Sequence, residues 1–368
     1  MYYFVFIDGI LGIKTNFKDF CWSYGSVAPM SSEEEFNHCR IKIFLDVRNS
    51  EQIFDSDINT KEYIRYHYFF AKYGEQKIYF ERNIFGKAKL RYSIEIKENR
   101  IHVIVNKNYM KYIKYRIMGL HSMSYILTDI VSVLLLKNDF ITLYCAAVCK
   151  DDQVIMVFSP PNTGKTLTSI QLCEKYGYKF LSEDLTLSDG EYVWSIPWTS
   201  TFRYYSTQSK SKKDLIAEKA TAYFPFLKFL IPSKKKSILE YFGVEKIQSK
   251  AKMSNIVLLE SGKPGIDFNK KNGFFKVQNL QRYLFYFHKS PTLIAMSYFN
   301  PYFSPDTIYE KEKELLSKIF ERSTYLSVSE ENVLKYPEKI HKIIGEKIGY
   351  AEKDAERRTA EVKYETIV

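Results

Sequence analysis

No Cys-x-x-Cys pair occurs among the five cysteines (Cys21, Cys39, Cys145, Cys149 and Cys173), and they form no even framework. A disulfide scaffold of the secreted kind is therefore not expected, and a reduced compartment is. Cys145 and Cys149, separated by Ala-Ala-Val in an expected strand, share a face but stand too far apart along it to pair. No run approaches the roughly 18 apolar residues that a membrane helix needs, so no span is expected. The start "MYYFVFIDGI" carries Asp8 and lacks a basic n-region, which argues against a signal peptide and makes a cytoplasmic location the simplest expectation. Internal repeats and low-complexity linkers are lacking too. Nor is positive charge gathered in one place. There are 54 basic against 43 acidic residues, a net charge of +11, but the cations are scattered. The tightest groups, "KSKK" (Lys210 to Lys213) and "KKK" (Lys234 to Lys236), fall in stretches that read as loops or solvated helix faces. Such a pattern serves solubility first; an acidic peptide is a secondary expectation and nucleic acid a lesser one.

The 368 residues suffice for about two domains. Residues 1–125 alternate apolar and polar positions in short bursts ("YYFVFI", "KIFLDV", "KIYFER"), with strands at Leu90 to Ile96 and Ile101 to Val105, so a mostly β N-terminal domain is expected. Met118 to Lys137 has helical spacing, and His121 on it lacks a second His or Cys at metal-binding distance. An α/β domain is expected over 126–350. In it, "ITLYCAAV", "QVIMVF", "KFLS", "IVLLES" and "GFFKV" read as strands; helices run from Thr166 to Lys175, from Glu310 to Glu321 and onward from Pro337. The charge-dense residues 351–368 read as a tail.

The stretch "VIMVFSPPNTGKTLTSIQLCEKYGYKFLSEDLTL", Val154 to Leu187, carries the chemistry. An apolar strand enters a loop ending Gly164-Lys165-Thr166 and an amphipathic helix follows, the order in which backbone amides, an ammonium group and a hydroxyl hold phosphates and magnesium. The loop expected to bind nucleotide comprises Ser159, Pro160, Pro161, Asn162, Thr163, Gly164, Lys165, Thr166 and Leu167. Ser159 stands where the consensus has its first glycine, and the two prolines remove N–H donors at positions that do little cradling. One helix and one turn later, Glu183 and Asp184 close a second strand, where a carboxylate can order magnesium or take a proton. Adjacent acids on a continuing strand point to opposite sides, so only one is expected to face the phosphates directly.

From about Ile130 to Ile344 these pieces, in this order, resemble the HPr kinase/phosphorylase family and its related kinases. They share a phosphoenolpyruvate-carboxykinase-like phosphate-loop domain. "IVSVLLLKNDFITLYCAAV" is similar to the family's leucine-rich helix and Leu-His-Ala-Ala-Ala-Val, and "GYKFLSEDLTL" to its Gly-Tyr-x-Leu-Leu-Ser-Asp-Asp; "IPWTSTFRYY", "NIVLLESGKPG" and "STYLSVSEEN" are weaker echoes. The resemblance implies a P-loop kinase domain of that type beside the β N-terminal domain. It implies ATP and Mg2+ as cofactors, Lys165 on the β/γ-phosphates, Thr166 and Asp184 on magnesium, and Glu183 as general base. The implied reaction is transfer of the γ-phosphoryl group to a serine-type hydroxyl of a peptide or small protein, in a protein that can form homo-oligomers. Arg203 is a candidate for a further phosphate or substrate contact. The chain departs from the family at Tyr144, where histidine is usual, at Glu183, where aspartate is, and at Ser159. A degraded site that binds nucleotide without turnover is the alternative these departures imply. The loop also resembles that of viral superfamily-3 helicases, but there the acids usually lie farther downstream.

Overall fold

A computed structural model describes residues 1–18, 22, 24–25, 28–49, 63–83, 89–113, 123–198, 238–284 and 290–345. Outside the described residues lie Cys21, His121, Arg203, both lysine clusters, the expected start of the long helix at Met118, and 351–368.

The short alternating bursts at the start of the chain pair into an eight-stranded mixed sheet. Its strands are β1 (Tyr2–Ile7), β2 (Leu11–Thr15), β3 (Ile41–Arg48), β4 (Ile64–Tyr66), β5 (Phe69–Ala71), β6 (Lys77–Asn83), β7 (Lys89–Lys97) and β8 (Arg100–Asn106). The order is β1-β2-β3-β8-β7-β6-β5-β4, with β3 parallel to both of its neighbours. β7 and β8 are the hairpin expected from Leu90 to Val105, with Ile96 opposite Ile101 and Lys97 opposite Arg100 as the closing pair. Two short helices attach to this sheet: α1 (Glu33–His38), held by a capping box between Ser32 and Glu35, and α2 (Lys107–Ile113).

Helix α3 (Met123–Lys137) is largely apolar and buried on all sides, with Ile126, Leu127, Ile130, Val131 and Leu134 in the core and Thr128, Asp129 and Ser132 buried among them. A helix of that kind needs cover on every side. It lies in one continuous core with the first sheet and one face of the second, and its Ser132 hydroxyl meets Tyr24 Oη at 3.2 Å.

The second sheet has nine strands among the described residues: β9 (Ile141–Leu143), β10 (Ala146–Lys150), β11 (Gln153–Phe158), β12 (Lys179–Ser182), β13 (Thr186–Ser188), β14 (Tyr192–Trp194), β15 (Lys250–Ser261), β16 (Gly265–Asp267) and β17 (Thr324–Glu330). The strand β15 is central. β11 lies parallel to it on one side, while β14 and then β17 share the other. Its helices are α4 (Lys165–Lys175), α5 (Ile238–Phe242), α6 (Lys270–Leu284), α7 (Pro291–Phe299) and α8 (Pro305–Arg322), followed by helical residues 336–345. A second core, including Val157, Ile170, Phe180, Val257 and Ile340, covers the opposite face. The protein is thus a mixed α/β structure with two mixed sheets.

Two expectations are corrected. "ITLYCAAV" is not one strand: it breaks at Tyr144 and Cys145 because its halves pair at different edges, β9 with β13 and β10 with β11 and β12. "GFFKV" is not a strand but part of α6. There Gly273 lets the helix approach β17 so closely that an added Cβ would lie 2.2 Å from the Tyr325 ring.

Candidate functional site

The site forms where a two-stranded ribbon opens. Residues 141–150 run antiparallel to 179–188, with Leu143 opposite Thr186 on one side of the gap and Ala147 opposite Ser182 on the other. Between these pairs the ladder is interrupted, and Tyr144 and Cys145 face Glu183 and Asp184 across the break. Buried polar backbone still requires partners. The amide of Tyr144 donates to Gln281 Oε1 at 2.7 Å, Gln281 Nε2 donates back to the Tyr144 carbonyl at 3.5 Å, and the Thr186 hydroxyl donates to the Cys145 carbonyl at 2.9 Å. Ser182 Oγ also hydrogen-bonds to Thr186 Oγ1. The gap in the ribbon is therefore braced by side chains where a ladder bond is missing.

Strand β11 delivers the loop to this opening. Asn162 and Gly164 take left-handed backbone, with φ of 65° and 95°, and Asn is among the residues that tolerate that region best. Ser159 is not among the residues with positive φ, so the glycine it replaces is not needed for its conformational freedom. Ser159 is buried and its hydroxyl donates to the Pro160 carbonyl at 3.0 Å; Pro160, Pro161 and Asn162 are exposed. Gly164 lies against Val333, whose Cβ would be 3.1 Å from an added Cβ. Helix α4 then starts at Lys165 with no side-chain cap and no acid in its first turn. Its leading N–H groups and positive dipole end are thus available to an anion. Thr163 and Thr166 are buried, Leu167 half-buried.

Lys165 is only 6% exposed, and its Nζ lies 2.6 Å from Asp184 Oδ1 and 3.7 Å from the centre of the Tyr144 ring. The two acids diverge, as alternation requires. Asp184 keeps 33% of its side chain exposed beside the lysine, whereas Glu183 is fully buried. Burial raises the Tyr144 phenol above its ordinary range, with Asp184 and Glu183 acting in the same sense and the Lys165 charge opposing them. The neighbouring Cys145 thiol is pushed up to about 12 by burial, which leaves no thiolate for nucleophilic chemistry near neutrality.

The structure thus brings Lys165, Asp184 and Tyr144 together at the mouth of the loop, with Glu183 fully buried nearby. Gln281, which holds Tyr144, went unforeseen. Its one signal in the sequence is a glutamine four residues after Val277 on the buried face of a helix. Among the described residues no group of three or more His, Cys, Asp or Glu could hold a metal ion, and no helix is long and apolar enough to cross a membrane.

No family model matches the chain, and no curated protein matches it. Among solved structures it is similar to the Hpr(Ser) kinase/phosphatase from Coxiella burnetii, at 10% identity over 34% of this chain and 77% of that one, with a TM-score of 0.20. At that score the likeness decides nothing about the site, whose chemistry is read from its own residues.

Proposed function

We propose that the chain binds ATP as its magnesium complex on the loop 159–167 and transfers the γ-phosphoryl group to a serine-type hydroxyl of a peptide or small protein. One observation carries this reading. A nearly buried lysine at the uncapped start of α4 is drawn to a carboxylate from the end of the next strand, Lys165 to Asp184 at 2.6 Å. Loop amides, the Lys165 ammonium and the left-handed turn at Asn162 and Gly164 suit a polyphosphate. Magnesium that arrives with phosphate oxygens needs few protein ligands, and Thr166 would be one of them. When bound, the complex supplies the phosphoryl group and neutralises charge as it develops.

The chain's own residues position and exchange protons. Lys165 fixes the terminal phosphates. Asp184, the acid open to an acceptor, takes the hydroxyl proton, and Glu183 stands behind it as a fixed buried group. The base role that the resemblance implies for Glu183 thereby passes to Asp184.

Incubation with γ-labelled ATP and magnesium against a panel of acidic serine-containing peptides tests the proposal, with Lys165→Ala as control. Label on a peptide that disappears in the variant supports it; label that persists overturns it. A second reading, nucleotide binding without turnover, is favoured by the Tyr144 ring lying over Lys165 and by the full burial of Glu183. Thermal stabilisation by MgATP with no label on any peptide would select that reading.

A further inference from the structure

The break between β9 and β10 is a turn of defined shape. The Cys145 amide donates to the Leu143 carbonyl at 3.0 Å, and Tyr144 between them is not among the residues with positive φ. A bond spanning two residues at negative φ makes an inverse γ-turn, common at strand ends, and Tyr144 is its apex. The turn's own bond uses neither the N–H nor the C=O of the apex residue, and backbone groups turned into the protein need partners. One side chain takes both. Gln281, 1% exposed, accepts from the Tyr144 amide at 2.7 Å and donates to its carbonyl at 3.5 Å. The first of these bonds is the stronger, since the second is at the limit of length. A primary amide presents an acceptor and a donor side by side, as a paired strand would.

Gln281 reaches that turn on a helix whose own position is set elsewhere. Gly273, Val277 and Gln281 recur at four-residue spacing on the buried stripe of α6. Gly273 lets α6 close on the Tyr325 ring of β17, and Phe274 meets Phe320 of α8 edge-on at 5.3 Å. Near the other end of the helix, the Arg282 guanidinium lies 3.8 Å from the centre of the Tyr309 ring, also on α8. The glutamine is therefore carried by a helix held on two sides. Its effect on Tyr144 follows from peptide geometry. The Tyr144 N–H lies in the peptide plane before its Cα and the carbonyl in the plane after it. Holding both planes holds φ and ψ, and with them the direction in which the side chain leaves the backbone. That direction places the ring over Lys165, with 3.7 Å from the ammonium to the ring centre.

We infer, on the reading of residues 159–167 as a nucleotide loop, that Gln281 is a positioning residue of the phosphate site: from α6 it clamps the apex of the turn and so keeps the Tyr144 ring where it orders Lys165 for a polyphosphate. Calorimetric titration of the full chain with MgATP tests this in four proteins: the parent, Gln281→Met, Tyr144→Leu and the double variant. Methionine is close to glutamine in length, packs adaptably and cannot make the two bonds. Gln281→Met is expected to weaken MgATP about fivefold, as loss of the ring should. The double variant should bind within about twofold of Tyr144→Leu alone, because without the ring the clamp has nothing to place. A glutamine needed only for stability would not show that dependence on residue 144. If Gln281→Met does not fold, Gln281→Asn, one methylene short of the turn with its amide retained, takes its place in the same cycle. Losses that multiply to roughly 25-fold in the double variant, or Gln281→Met binding within about twofold of the parent, would overturn the role of Gln281 and leave the nucleotide loop standing. A parent that binds no MgATP at millimolar concentration would overturn both.

Discussion

The Tyr144 ring lies over the Lys165 ammonium at 3.7 Å, and the same ammonium is 2.6 Å from Asp184 Oδ1. A contact of this kind contributes about 0.5–2 kcal/mol and comes from the ring, not the hydroxyl. Tyr144→Phe should therefore bind MgATP within twofold of the parent, and Tyr144→Leu about fivefold more weakly, since the lysine then has to be ordered on binding. The phenol is held above its ordinary range, chiefly by burial, and so stays neutral through pH 9. Nucleotide affinity should show no tyrosine limb between pH 7 and 9. A limb near pH 8 that vanishes in Tyr144→Phe would contradict the geometry.

Asp184 and Glu183 should separate in kinetics. Asp184 is a third exposed but its partner Lys165 only 6%, so Asp184→Asn leaves a nearly buried ammonium without that counter-charge and should lower stability as well. Asp184→Asn is expected to keep MgATP binding within about tenfold while label transfer falls by a hundredfold or more. Glu183→Gln, at a position closed to an acceptor, should reduce the transfer rate by less. Initial rates of the two variants at saturating MgATP decide the point. The reverse order would return the base role to Glu183.

The strand–loop–helix of the site was legible because each piece is local: an apolar run, a glycine-lysine turn, an amphipathic helix. Its second half was legible only as an order of pieces. That Tyr144 faces the acids depends on the register between 141–150 and 179–188, and an unbroken apolar run such as "ITLYCAAV" shows neither its bend nor its two sets of neighbours. Gly273 marks another such limit. Beside two phenylalanines it suggested a strand, yet it sits in α6 for the sake of the Tyr325 ring. Gly273→Ala should therefore lower stability although alanine favours helix by about 1 kcal/mol, because overpacking against the ring costs about 1–3 kcal/mol. In a Tyr325→Leu background the same change should become neutral or stabilising. Urea midpoints of the four proteins in that cycle measure the coupling; additive effects would mean that the ring is not the obstacle.

Asp129, 6% exposed on α3, supplies a pH dependence separate from the site. Burial pushes its carboxyl up to about 7, against the weaker opposing effect of the Ser290 hydroxyl. The folded value lies above the unfolded one, near 3.9, so the folded chain holds this proton where the unfolded chain has released it. Asp129 therefore contributes most below about pH 4, and its contribution is lost as pH rises through about 7. Between pH 5 and 8 the loss amounts to roughly 2–3 kcal/mol. Asp129→Asn keeps the size and a hydrogen-bonding group for Ser290 but cannot ionise. Its stability relative to the parent should accordingly rise by that amount between pH 5 and 8, read as a shift in urea midpoint with unchanged slope. A difference that stays constant across those pH values would show that Asp129 does not titrate there.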